Sequence, residues 1–502
     1  MTLDRRRFLT TLGAAATATA TAVAGAPARA LTAFPARPRG WAAAPPDWQA
    51  LRDRLGSRLV LPADPGYGTA RLGYNELNDG QFPAAVAHCV SADDVRACLD
   101  VARGHGLPIA ARSGGHGYLG YSVPDRGLVI DLRGMADVVV HPDGTAEVGA
   151  GARLIEVYAA LARAGRLLPA GSCPTVGVAG LTLGGGIGVL ARKYGLTCDR
   201  LGAAEVVTAD SSLLTASPDE EPDLYWALRG GGGGNFGVVT RFGFDTAPAP
   251  DLTVFVLRFP AGSVTEVLGA WQEWVDGAPN ELWASCQISG GTPPSCRVVG
   301  CYVGGPGGAG PLLDQLVEAA GTAPTSRTVS PRDYLGAMKF MAGCSNDTIA
   351  QCHPVSEGGR LPRAGFVAVS RMLGPVPLDP ARVTELMAGR TGVDLLLDSL
   401  GGAIGELAPS ATAFPHRESL ASAQVYASAT PATEDQARAT VDAIRDGLAD
   451  LGALGAYVNY IDATLPRWGR AYYGRNLPRL KAVARRYDPD GVFAFPQSVA
   501  SA

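Results

Sequence analysis

The sequence predicts an α+β protein in two structural parts, a mixed helix-and-strand part followed by one built on a sheet. Three observations carry this. The chain has 502 residues, which at roughly 150 residues per domain is material for two to four domains. From about residue 58 to residue 245, short apolar runs and helical stretches are broken by Gly and Pro clusters. After Thr246-Ala-Pro-Ala-Pro-Asp251, a linker-like stretch, the runs lengthen and alternate, as half-buried strands do.

Composition narrows the class. Hydrophobic residues are 47% and charged residues 18%, which excludes an acidic disordered chain and a coiled coil. The 43 Lys+Arg and 47 Asp+Glu leave a net charge of −4, and no run of five like charges offers a phosphate-tracking stripe. Nucleic acid is therefore not an expected partner. The 65 glycines are nearly double the usual share of about 7%, and they concentrate in a few loops.

Residues 1–30 read as an export signal. Arg5, Arg6 and Arg7 precede Phe8-Leu9, an Ala/Thr/Leu-rich stretch follows, and Ala28-Arg29-Ala30 supplies a cleavage site. The Arg-Arg-x-Phe-Leu pattern resembles a twin-arginine signal, which makes the twin-arginine machinery an expected partner and the exterior or periplasm the expected location. Residues 31–57 read as a linker. A helix is predicted over 91–105, capped by Ser91, with strands at 108–112, 128–132, 138–141, 146–148 and 204–208. The second part has strand candidates at 252–259, 283–289, 298–303, 365–372, 393–397 and 422–428, with two or three helices between them. A helix at 478–487 closes the chain. No later segment offers 18 uninterrupted apolar residues, so no membrane span is expected. Nine cysteines form no paired C-x-x-C units, so no metal site is expected, and folding before export would leave most of them reduced and buried.

Three loops carry the glycines. Arg112-Ser-Gly-Gly-His-Gly-Tyr-Leu-Gly120 contains G-x-G-x-x-G, but a dinucleotide fingerprint of the Rossmann type needs a helix to follow, and Ser122-Val-Pro-Asp125 reads as a turn. What remains is a run of backbone N–H groups able to turn toward one anion. Gly171 through Gly188 and Arg229 through Gly237 add two more such loops. Together they point to a large flat nucleotide cofactor.

These residues also carry a resemblance. Arg112-Ser-Gly-Gly-His116, Cys173-Pro-Thr-Val-Gly-Val178, Gly184-Gly-Gly-Ile-Gly188, Arg229 through Gly237, Tyr457-Val-Asn-Tyr460, Trp468, Tyr472-Tyr-Gly-Arg-Asn476 and Tyr487-Asp-Pro489 resemble the berberine-bridge-enzyme-like FAD oxidases, nearest in pattern to the glucooligosaccharide-oxidase-like and aclacinomycin-oxidoreductase-like branches. The resemblance covers about residues 58–245 and 455–500. It implies the vanillyl-alcohol-oxidase fold: a PCMH-type FAD domain over 58–245, completed by 461–502, with a substrate domain of antiparallel sheet and helices inserted at 246–460. It also implies FAD held covalently, with His116 joined to the 8α-methyl carbon and Cys173 to C6. Neutral imidazole and thiolate are suited to that chemistry.

Candidate cofactor-binding residues are then His116, Cys173, Arg112, Ser113, Gly114, Gly115, Gly117 and Ser122, with Ser172, Val176, Gly177, Gly180, Gly185, Gly186 and Gly188, and Asn235, Gly237, Val238, Val239 and Asn476. Hydride transfer to flavin N5 requires a base for the substrate hydroxyl. The resemblance assigns that role to Tyr460, with Asp398 as its helper and Tyr118 as a further active-site tyrosine. Gln424 and Ile187 are candidate substrate contacts; plant members of the family often carry tyrosine at the position of Ile187. Val176 matches the small residue that admits oxygen in this family.

The implied activity is an exported, bicovalent FAD oxidase. It would take a secondary alcohol or sugar hemiacetal, in a carbohydrate or a glycosylated or polyketide natural product, and reduce O2 to hydrogen peroxide. Two alternatives stand beside it: an FAD-dependent dehydrogenase using a non-oxygen acceptor, and a non-catalytic flavin-binding protein.

Overall fold

A computed structural model describes residue 46 and residues 48–502. The predicted export signal and all but the end of the predicted linker lie outside the described residues.

Strands β1 (Leu59–Val60), β2 (Ala85–His88), β3 (Ile109–Arg112) and β4 (Leu128–Asp131) form a sheet in the order β1-β2-β4-β3. The pairs β2–β4 and β3–β4 are parallel, so a crossover is needed, and helix Ala92–His105 supplies it. Ser91 caps that helix by accepting from Asp94 N, and Gly106 ends it in the left-handed region at φ 61°. A second sheet takes β5 (Val138–Val140), β6 (Thr145–Gly149) and, after the two-residue β7 (Arg166–Leu167), β8 (Leu201–Val207), β9 (Leu213–Ala216) and β10 (Val238–Asp245). Its order is β5-β6-β10-β8-β9, antiparallel throughout, and β7 pairs with β11 (Ala247–Pro248).

The inserted part is a seven-stranded antiparallel sheet of β12 (Leu252–Arg258), β13 (Leu282–Ser289), β14 (Ser295–Val303), β15 (Ser326–Arg332), β16 (Phe366–Leu373), β17 (Val393–Ser399) and β18 (Ala421–Ser428), in the order β15-β12-β14-β13-β17-β18-β16. One face is apolar: Ala284, Cys286, Ile288, Leu395, Leu397, Ala423 and Val425 pack under helices Val264–Asp276, Pro306–Ala320, Pro380–Met387 and Glu434–Asp450. The opposite face is fixed by the two-residue period. One row across it runs Ser285, Asp398, Ser422, Met372, and the next runs Arg297, Gln287, Leu396, Gln424, Ser370. Polar residues thus line much of this face at β13, β17 and β18, while Val254, Cys301 and Trp283 on the same face share a core with helix Tyr334–Met341.

The other main core joins distant sequence. Phe236 and Trp226 share one buried cluster with Tyr472, Tyr473, Leu480, Val483 and Val499, so the C-terminal residues complete the part that begins near residue 48. Asn75 ties the two parts together: its Nδ2 donates to Tyr118 O and Phe366 O, both at 3.0 Å, and its Oδ1 accepts from Phe366 N.

Every strand expected from the sequence is present, with ends displaced by a few residues. Strand β10, missed in the sequence, is central, and it begins with the candidate contacts Val238 and Val239, which are buried in pairing with β8. The inserted part holds five helices rather than the two or three expected; Tyr334–Met341 and Pro380–Met387 are only eight residues each, about two turns in which to show a period. The glycine loop after β3 continues as turns, with no helix before β4; the rejection of a Rossmann motif stands.

Backbone contact makes a direct test of this packing. A Cβ on Gly177 would stand inside contact distance of Ser113 Oγ and Gly114 N, whereas one on Gly104, in helix Ala92–His105, would meet nothing within 4 Å. Gly177→Ala is expected to destabilise by about 1–3 kcal/mol, and Gly104→Ala to stabilise by up to about 1 kcal/mol, as read by denaturant midpoints.

Candidate active site

The loop after β3 is aimed by a buried ion pair. Arg112 is 1% exposed; its guanidinium donates to Asp131 Oδ2 and Ala70 O, each at 2.6 Å, and to Leu72 O. Burial alone would raise the Asp131 carboxyl, but Arg112, His88 and Arg133 hold it well below the usual range. Arg112 therefore spends its charge on positioning the loop.

From that anchor the 113–117 loop meets the 173–177 loop backbone to backbone. A Cβ on Gly114 would stand 2.7 Å from Thr175 O, so neither loop has room for side chains at the crossing. The second loop is held by helix Leu154–Arg163, whose Leu154 N and Ile155 N donate to Val176 O and Pro174 O. The crossing brings the His116 imidazole to Thr175 Oγ1 at 2.9 Å, with Cys173 Sγ 4.0 Å from the same oxygen. Tyr74 stacks on the His116 ring, centroids 3.9 Å apart and planes 16° apart. Of the seven free cysteines six are buried and Cys173 is not. The remaining two, Cys344 and Cys352, form a disulfide that the sequence reading did not pair.

Across from this pair lies an aromatic wall. Tyr118 and Tyr460 stack with centroids 5.5 Å apart and planes 8° apart, and Phe366 meets Tyr118 edge-on. Gln424, on β18, donates from Nε2 to Tyr118 Oη. Burial, with Tyr460 as neighbour, raises the Tyr118 phenol well above its ordinary value. Tyr460 and Ile187 each pack against a small apolar cluster that includes Met372, Phe414 and Tyr457. Tyr457 is a strut: its Oη accepts from Gly186 N and Asn459 Nδ2, both at 2.9 Å, while its N donates to Ser370 Oγ. Burial pushes its phenol up to about 12, those donors opposing. Asp398 stands on the polar sheet face one row from Gln424. Burial pushes its carboxyl up to about 6, and a hydrogen bond from Ser285 pulls the other way.

The remaining sequence-derived candidates divide by what their side chains do. Asn235 Nδ2 donates to the carbonyls of Gly231 and Gly232, and its Oδ1 accepts from Val499 N. Asn476 Nδ2 donates to Pro409 O and Thr412 O. Both are spent on holding loops, and Ser113 Oγ likewise donates to Ala150 O. Gly185 and Gly186, at φ 127° and 87°, and Gly188, against Ala170 O, are required by the chain itself. Gly117 and Gly180 differ: both are exposed and a Cβ on either would meet nothing within 4 Å, which leaves backbone open to a flat ligand. Glycine-lined space beside an imidazole and the part-exposed thiol fits a dinucleotide carrying a reactive ring. Tyr74, Asn75, Thr175 and Phe366 were missed in the sequence; only Thr175, inside the quoted Cys173 motif, carried any signal.

Comparison with known proteins gives the family. Residues 83–217 match the FAD binding domain model and residues 456–500 the model described as berberine and berberine like. The chain is similar to the FAD-linked oxidoreductase YgaK of Bacillus subtilis (strain 168), 34% identical, covering 89% of this chain and 98% of that protein. Its fold is similar to that of Physcomitrella patens BBE-like 1, with a TM-score of 0.85 and 30% identity over 90% of this chain and 99% of the other. It is similar also to glucooligosaccharide oxidase from Acremonium strictum, a structure described for its 6-S-cysteinyl, 8α-N1-histidyl FAD, with a TM-score of 0.80, 26% identity and coverage of 90% and 99%.

Thiol accessibility checks the site before any substrate is known. In folded protein produced without flavin, an aromatic disulfide reagent is expected to titrate about one thiol quickly, because buried structural thiols are inert. Cys173→Ala is expected to abolish that phase; a fast phase that persists in the variant would contradict this assignment.

Proposed function

Because the chain belongs to the berberine-bridge-enzyme-like FAD-linked oxidoreductases, we propose that it is a bicovalent FAD oxidase, tethered through His116 and Cys173, which oxidises a sugar hemiacetal or secondary alcohol. When bound, FAD supplies the hydride acceptor at N5 and passes electrons to O2, giving hydrogen peroxide. The carrying observation is that two crossing loops present His116 and the part-exposed cysteine to one hydroxyl, with the Tyr118–Tyr460 stack nearby.

Tyr460 takes the proton of the substrate hydroxyl as hydride leaves the carbon that bears that hydroxyl, and the Asp398 carboxylate receives or orients that proton. An unperturbed phenol, with a pKa near ~10, is a weak base at neutral pH, so the helper must be ionised for the pair to work. Gln424 and Tyr118 orient the substrate oxygens, and Ile187 gives the pocket an apolar wall beside Tyr460. Val176 leaves room for O2 at the ring. A polar sheet face with Ser285, Asp398, Gln287 and Gln424 suits a polyhydroxylated substrate better than an aromatic one, and the glucooligosaccharide oxidase likeness supports a carbohydrate. Residues 58–245 with 461–502 form the FAD domain and 246–460 the substrate domain. Residues 1–30 address the folded chain to the twin-arginine machinery for export. Among the described residues no helix is long and apolar enough to cross a membrane.

Peroxide release over a panel of oligosaccharides and glycosylated polyketides tests the reading. Turnover is expected with reducing oligosaccharides, and Tyr460→Phe is expected to lower kcat/KM by at least about 10²-fold. Turnover by Tyr460→Phe at the parent rate contradicts the base assignment; reduction by substrate with slow reoxidation in air contradicts the oxidase.

Asp398 sets a pH signature. Its carboxyl titrates at about 6, and the ionised form is the acceptor, so kcat/KM should rise with pH through about 6 and level above it. In Asp398→Asn the limb should vanish together with most activity; an unchanged limb would assign it to another group.

A further inference from the structure

Thr175 follows Cys173 by two residues, is 3% exposed, and lies in the loop that crosses over Gly114. Its Oγ1 faces two reactive side chains at once, His116 Nε2 at 2.9 Å and Cys173 Sγ at 4.0 Å. The Tyr74 stack at 3.9 Å fixes the plane of the imidazole, so the ring's remaining choice is which nitrogen carries the proton. That choice is set by the partner of the other nitrogen. A hydroxyl has one proton to give and two lone pairs to offer, enough to accept from Nε2–H while donating to sulfur.

We propose that Thr175 is a positioning residue for attachment of the flavin: by accepting from Nε2–H it presents His116 Nδ1 as the bonding nitrogen, and by its contact with Cys173 Sγ it holds the sulfur beside the same site. This rests on the tethered-flavin reading above. At His116 one C–N bond forms and one C–H bond of the 8α methyl breaks. The methyl proton and the Nε2 proton leave to solvent, the latter by way of Thr175 Oγ1, which gives up its own proton as it takes this one, and two electrons reach O2, which with two protons gives one hydrogen peroxide. At Cys173 one C–S bond replaces the C6–H bond, with the same loss of two protons and two electrons to a second O2.

The test follows acid-precipitable flavin with time after adding FAD in air to the full chain produced without flavin, with peptide mass reporting which of His116 and Cys173 carries flavin. Thr175→Val is expected to slow attachment at His116 about tenfold, the worth of one hydrogen bond, while unattached FAD still binds and the thermal midpoint stays near the parent's. Thr175→Ala should show the same slowing if the valine fails to fold, and Thr175→Ser should restore the parent rate. Attachment at the parent rate in Thr175→Val or Thr175→Ala, or a serine variant as slow as alanine, overturns the proposal. A parent that releases all its flavin into the acid supernatant overturns the tether itself, which is a separate outcome from a parent and a valine variant that both retain it.

Discussion

The arrangement depends on two loops touching without side chains between them. Gly114 and Gly177 lie where any Cβ would overlap the opposite backbone, and the contact is what brings His116 and Cys173 from 57 residues apart to a shared hydroxyl. Each loop is anchored away from the crossing. Arg112 and Asp131 hold the first through a buried ion pair, and helix Leu154–Arg163 holds the second through its N-terminal backbone. Buried charge is costly to desolvate, so an ion pair under a glycine loop is better understood as a device for geometry than for stability.

The second half of the site comes from the inserted sheet. Its face under the four helices is apolar and its other face largely polar at β13, β17 and β18, so the two-residue period places Asp398 and Gln424 on the side turned away from those helices. Asn75, from the first part, bonds to both Tyr118 O and Phe366 O, and Tyr457, in the segment matched by the berberine-like model, bonds to Gly186 and Ser370. The two parts are thereby registered at the pocket by hydrogen bonds from groups that are themselves buried, where an unmade bond is expensive.

Much of this was legible in the sequence because motif residues lie close together along the chain. His116, Cys173, Tyr118 and Tyr460 were found through short motifs, and the strand at 393–397 through its alternation. Tyr74, Asn75 and Phe366 were not, because each acts only through partners brought together by the tertiary fold, Asn75 and Phe366 being 291 residues apart. The side-chain amides of Asn235 and Asn476, candidate cofactor contacts in the sequence, hold neighbouring loops, a feature that rests on which carbonyls lie within reach. The glycines also differ in what they serve: Gly184 makes room for Asn459, whereas Gly117 faces open space.

The most direct measurement is the mass of the flavin-bearing peptides after digestion of the yellow holoprotein. The account predicts a single flavin bridging two peptides, one containing His116 and the other Cys173. Flavin recovered free, or on peptides that contain neither residue, would contradict it.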